Sequence, residues 1–100
     1  MLVMPAELTH VQASVCLNML AQAARAEGGA QVLVDATALT RFDSSALAVL
    51  LECRRQCLQA GKGFAVRGLA PRLRELADLY GVADLLTEPA VTGEPALAMA

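Results

Sequence analysis

The residue pattern predicts a single α/β domain on a mainly parallel, mixed sheet with about three helices. Short apolar or β-branched runs, Met1-Leu2-Val3-Met4, Gln31-Val32-Leu33-Val34-Asp35 and Phe64-Ala65-Val66-Arg67, alternate with stretches of helical period. Helical stretches of ten to fifteen residues between strands imply right-handed crossovers, which place strands parallel in one sheet. Gly28-Gly29, Gly61-Lys62-Gly63 and Gly81 stand where those helices must stop.

The first run ends its ladder-donating capacity at Pro5, so an edge-like strand is expected from Met1 to about Leu8. Thr9 and Gln12 have capping-box spacing, and Val11, Val15, Met19, Leu20 and Ala23 recur at helical intervals, predicting a first helix to about Ala26 with that face inward. Gln31–Asp35 reads as a buried central strand. After a polar connection, Asp43-Ser44-Ser45 offers N-caps to a second helix whose face is Leu47, Leu50, Leu51, Arg54 and Leu58. Gly61 closes it, and Phe64–Arg67 is the next strand. Pro71 suits a first helical position, with Leu73, Leu76, Ala77 and Tyr80 as the stripe of a third helix and Arg74 placed to pair with Asp78. Leu85-Leu86 reads as a last short strand. Pro89, Gly93 and Pro95 among scattered alanines show no period, so the domain is expected over 1–88 and a disordered tail over 89–100. With three helices for so few strands, one sheet face is expected to stay partly open.

Apolar residues make up 56% of the chain and aromatics 3%, so the core must be built from Leu, Val and Ala. That share exceeds the usual level of about 45 to 50%, which leaves room for a contact patch on the surface. A net charge of −2 with both signs interspersed provides no basic field for nucleic acid. Cys16, Cys53 and Cys57 are an odd number, and the amino terminus lacks a signal-peptide pattern, so reduced thiols in the cytoplasm are expected. No apolar run reaches the length of a membrane span, since Thr9, His10, Gln12 and Asn18 interrupt the longest.

Asp43-Ser44-Ser45-Ala46-Leu47 is the local feature that could carry function, because hydroxyls stand where a helix begins, beside unpaired N–H groups and the positive end of the dipole. A phosphate on Ser44 would meet those donors, with Arg41 as a counter-charge. The plainer reading is that Ser44 or Ser45 caps the helix, worth about 1 kcal/mol. Nucleophilic catalysis needs a base beside the serine, and the single histidine, His10, stands at the start of another helix. Cys53 and Cys57 have i, i+4 spacing but lack further soft ligands at metal-site spacing, so they read as small buried residues and no metal site is expected. Gly61-Lys62-Gly63 lacks the phosphate-loop pattern and follows a helix. Asp35, Asp43, Asp84 and Glu88 show no paired-carboxylate spacing for acid–base work.

From about Leu2 to Leu86 the chain resembles the STAS domains, the family named for sulfate transporters and antagonists of anti-sigma factors. Pro5-Ala6-Glu7-Leu8-Thr9 resembles the family's Gly-Glu-Leu-Thr/Asp turn into the first helix, and Val32-Leu33-Val34-Asp35 its central strand. Phe42-Asp43-Ser44-Ser45-Ala46-Leu47 resembles the Asp-Ser-Ser-Gly-Leu signature, and Leu76-Ala77-Asp78-Leu79-Tyr80-Gly81-Val82 the third helix and its exit. Ala6 and Ala46 replace glycines often found in the family, and the first strand of the family's amino-terminal hairpin is missing.

The Leu79-Tyr80 pair before Gly81 and the short start make the likeness closer to the cytoplasmic STAS subunit of the Mla phospholipid-transport ABC transporter. That resemblance implies a non-catalytic subunit without cofactor that docks on the transporter's ATPase, with the permease in the same complex. It implies a role in outer-membrane lipid asymmetry and a cytoplasmic location, peripheral to the inner membrane through the transporter. Ser44 is then the partner contact, or a phosphorylation site, with Arg41, Asp43 and Ser45 as further contacts. The alternative implied by the family is an anti-sigma factor antagonist, in which a partner kinase phosphorylates the first serine after the aspartate, here Ser44. A third expectation, from a different class, is a relative that holds a lipid or nucleotide phosphate at the helix start.

Overall fold

The computed structural model describes residues 1–86. In chain order the elements are β1 (Leu2–Val3), β2 (Glu7–Leu8), α1 (Ala13–Ala26), β3 (Gln31–Asp35), β4 (Arg41–Phe42), α2 (Ser45–Gln59), β5 (Gly63–Arg67), α3 (Pro71–Leu79) and α4 (Ala83–Leu86). The expected tail, 89–100, lies outside the described residues.

β1, β3 and β5 form a three-stranded sheet in that order, and both its ladders are parallel, as the alternation predicts. Leu2 lies opposite Val34, and Val34 opposite Val66, so one face of the sheet carries Leu2, Val32, Val34, Phe64 and Val66 into the core. All four helices bury residues in that same core: Cys16, Leu20 and Ala24 from α1, Ala46, Leu47, Val49, Leu50, Cys53 and Cys57 from α2, Leu73 and Ala77 from α3, Ala83 and Leu86 from α4. On the opposite sheet face Val3 is 65% exposed and Leu33 half-buried, the partly open face that few helices per strand implies.

The amino-terminal strand is not continuous. The Met4 N–H still reaches the Asp35 carbonyl at 2.9 Å, but Pro5 has no N–H to extend the ladder, and the chain leaves the sheet there. It resumes as β2, which pairs in parallel with β4 in a second ladder, Glu7 opposite Arg41 and Leu8 opposite Phe42. The Ala6 carbonyl accepts from both Thr40 and Arg41, tying the two segments together. Residues read as a polar connection thus contain a strand, too short for periodicity to reveal.

Helix faces also differ from expectation. On α1 the buried residues are Cys16, Leu20, Ala21 and Ala24, whereas Val15 and Met19 are both 63% exposed, and Val11, in the turn before the helix, is 74% exposed. Residues 11–24 are apolar on more than one side, so spacing alone does not choose the inward face; the core shared by the sheet and α2 takes the stripe of Cys16, Leu20 and Ala24. The helix begins at Ala13, after a turn in which the Gln12 side chain accepts from the Thr9 N–H and hydroxyl, both at 2.8 Å, so only the glutamine half of the capping box is made. On α2 the buried set runs through Ala46, Leu50, Cys53 and Cys57, leaving Leu58 exposed, and on α3 Tyr80 falls past the helix end and is exposed.

Gly61 ends α2 with φ 77°, and the Lys62 N–H returns to the Cys57 carbonyl at 2.9 Å, the left-handed stop expected of glycine. Leu85-Leu86 is not a strand: Ala83 and Leu86, three apart, both face the core from the short helix α4. Among the described residues Arg74 forms no ion pair with Asp78; the helix-surface pair formed is Arg55 with Glu52 on α2.

Candidate functional site

The start of α2 is fixed from both sides. Below it, Ala46 and Leu47 are buried, which seats the first turn on the core and turns Ser44 and Ala48 outward. Beside it, the β2–β4 register sets Leu8 against Phe42, so the residues that follow each strand emerge together. That juxtaposition places His10 next to Asp43: the His10 N–H donates to Asp43 Oδ2 at 3.1 Å, and His10 Nδ1 lies 3.3 Å from the same oxygen.

Asp43 is the residue that caps the helix. Its Oδ1 accepts the Ser45 N–H at 2.8 Å, and its carbonyl accepts the Ala46 N–H at 3.0 Å. The N–H groups of His10 and then Ser45 hold the Asp43 carboxyl down to about 2, so it is ionised at neutral pH. A carboxylate at this end also favours the helix dipole. The capping role expected of Ser44 or Ser45 is therefore not theirs: the Ser44 side chain makes no cap bond. The aspartate takes the role because its longer reach and negative charge make it the better acceptor for N–H groups arriving from two segments.

Of the four residues singled out in the sequence, Asp43, Ser44 and Ser45 stand together at the helix start, Ser44 exposed and Ser45 half-buried. Arg41 lies one strand residue before Phe42, exposed, with Glu7 as its neighbour across the ladder. Its expected place as counter-charge to Ser44 is thus shared with an acidic neighbour. His10, which the sequence places at the start of another helix, reaches this site across 33 positions of sequence. The signal for it was the β2–β4 pairing, which two-residue strands do not announce. His10 bonds to Asp43 rather than to Ser44, so the geometry here is that of an anchored helix start with one outward hydroxyl.

Elsewhere, a groove of about 400 Å³ lies where the carboxyl-terminal halves of α1 and α2 meet, lined by Ala21, Ala24, Cys53, Cys57, Ala60 and Lys62 among others. Lys62 Nζ donates there to the Ala24 and Glu27 carbonyls, closing the end of α1. The three cysteines are free and buried, and burial first, then the neighbouring Cys57, pushes the Cys53 thiol up to about 12. Among the described residues no group of three His, Cys, Asp or Glu side chains could hold a metal ion, and no helix is long and apolar enough to cross a membrane.

No curated protein matches the chain. A family model described as "Mlab, STAS domain" matches residues 3–88, which take in every described element except Leu2 of β1 and include the whole of the α2 start. With its parallel strands and core-facing helices, the chain belongs to the STAS domain family, whose members are in general non-catalytic binding and regulatory domains.

Proposed function

We propose that the chain is a non-catalytic subunit that docks on the ATPase of a phospholipid-transport ABC transporter and serves the maintenance of outer-membrane lipid asymmetry. The observation that carries the reading is Ser44: an exposed hydroxyl at the start of a fifteen-residue helix, released from capping because Asp43 performs it. A hydroxyl with no structural duty, on a helix start fixed by buried Ala46 and Leu47, is a preorganised contact for a partner. The family description, which names Mlab, supports the transporter among STAS partners. On this reading Asp43 and Ser45 flank the contact, Arg41 lies at its rim, the permease joins through the ATPase, and the chain works in the cytoplasm at the inner membrane.

A second reading, an antagonist of an anti-sigma factor switched by phosphorylation of Ser44, draws on the same exposed hydroxyl. Here a phosphate would stand beside the ionised Asp43, and like-charge repulsion would make it a disruptive modification rather than an ordering one.

Affinity purification of the tagged chain from its native membranes, with mass spectrometry of partners and of Ser44, tests both. Recovery of an ABC ATPase and permease with unmodified Ser44, lost in Ser44→Glu, is expected. A kinase-type partner with phosphorylated Ser44 would replace the transporter reading by the switch.

A further inference from the structure

The groove between the carboxyl-terminal halves of α1 and α2 takes no part in the docking proposed for Ser44. The helical rise from Ser44 to Gln56, which lines the groove, puts the two about 18 Å apart. Its floor is made of small side chains, Ala21 and Ala24 of α1 against Cys53 and Cys57 of α2, all buried. Small residues facing one another leave space that neither helix fills. That space is about 400 Å³, within the range of small-molecule sites, and holds roughly a dozen non-hydrogen atoms at a water's share of about 30 Å³ each.

Charge sets the kind of occupant. Arg25, Arg55 and Lys62, three of the chain's eight Lys and Arg, line the groove, and among the described residues no Asp or Glu does. Two of these cations are engaged: Arg55 pairs with Glu52, and Lys62 Nζ donates to the Ala24 and Glu27 carbonyls, which leaves it one N–H. Arg25 is exposed and forms no ion pair among the described residues. The carbonyl ends of two helices would by themselves repel an anion. Here those carbonyls are taken, since Ala23 and Ala24 accept the Glu27 N–H, and Gln56, Cys57 and Leu58 accept from Ala60, Lys62 and Gly61. The Arg25 guanidinium is left to hold a carboxylate, whose two oxygens match its forked donors. Lys62, bonded to the carbonyl of the residue before Arg25, stands at the same end of the groove.

We propose that this groove binds an aliphatic carboxylate of medium chain length, with its carboxylate on Arg25 beside the spare Lys62 N–H and its hydrocarbon body on the floor of Ala21, Ala24, Cys53 and Cys57. An acid without the body leaves the apolar floor uncovered, and an alcohol of the same length leaves the guanidinium unmatched. The site stands whether or not Ser44 meets a partner.

The test is a nuclear magnetic resonance titration of the full-length chain with octanoate, and with acetate and octanol as the two half-ligands. Octanoate is expected to give saturable shifts at the amides of Ala21, Ala24, Gln56 and Ala60, and each half-ligand to bind at least about tenfold more weakly. Arg25→Gln should weaken octanoate about tenfold and leave octanol unchanged. Ala60→Leu, at an exposed position past the end of α2, should fill the groove and abolish octanoate binding at an unchanged thermal midpoint. Octanoate shifts that do not saturate, or that centre on other residues, overturn the site. Octanol binding as tightly as octanoate, or Arg25→Gln binding octanoate like the wild type, overturns the carboxylate. Because Arg25 is exposed, its variant decides the matter even where Ala60→Leu disturbs the fold.

Discussion

His10 and Asp43 are joined twice, by the His10 N–H on Asp43 Oδ2 at 3.1 Å and by His10 Nδ1 at 3.3 Å from the same oxygen, which locks the approach to α1 against the start of α2. The same carboxylate caps α2 through the Ser45 N–H. One ionised side chain thus holds both segments of the candidate surface in register.

Acid should loosen this arrangement. Asp43 falls from an ordinary 3.8 to about 2, and Glu52, held first by Arg55 and then by Gln56, from 4.5 to about 2. A carboxyl with a lower pKa folded than unfolded stabilises the fold above its unfolded value and ceases to as pH falls through its folded value. Urea midpoints should therefore be level above about pH 4.5 and drop toward pH 2. Asp43→Asn should lower the midpoint at pH 7 and flatten that decline; an unchanged acid limb would show that the carboxylate is not held as described.

Ser44 should be dispensable for folding. Its side chain makes no cap bond, so Ser44→Ala should change stability by less than about 0.5 kcal/mol in equilibrium denaturation. A loss of about 1 kcal/mol would restore the capping role to the serine.

Two glycines of similar φ should respond unequally to alanine. Gly61 at φ 77° faces open space, so Gly61→Ala meets only the left-handed penalty of roughly 1 to 2 kcal/mol. At Gly68, φ 73°, an added Cβ would stand 2.3 Å from Thr37 Oγ1 and 3.1 Å from its backbone nitrogen. Thr37 cannot withdraw freely, because its N–H is bonded to Asp35 Oδ1 at 2.9 Å. Gly68→Ala should cost at least about 1 kcal/mol more than Gly61→Ala in the same denaturation assay.

The thiols should be silent until the protein opens. Cys53 is 0% exposed and its thiol is pushed up to about 12, while Cys16 and Cys57 are also buried. A thiol reagent at pH 8 should label the native chain slowly and all three cysteines rapidly in urea. Rapid native labelling of Cys53 would contradict the α1–α2 packing.

The sequence by itself determined what local chemistry determines. Gly61 stops a helix because only glycine enters the left-handed region without penalty, and Gln31–Asp35 is a central strand because its β-branched run is long enough to read. Asp43-Ser44-Ser45 marks a helix start, since that residue class competes for unpaired N–H groups. Tertiary structure decided which residue makes the cap, which face of α1 turns inward, and that His10 belongs to the Asp43 site. β2 and β4 are two residues each and exist only through one another, so neither leaves a periodic trace. On α1, apolar residues point in more than one direction, and transfer from water favours burying any of them. Only the core offered by the sheet and α2 distinguishes Cys16, Leu20 and Ala24, which are buried in it, from Val11, Val15 and Met19, which face out, because neither size nor polarity separates the two sets.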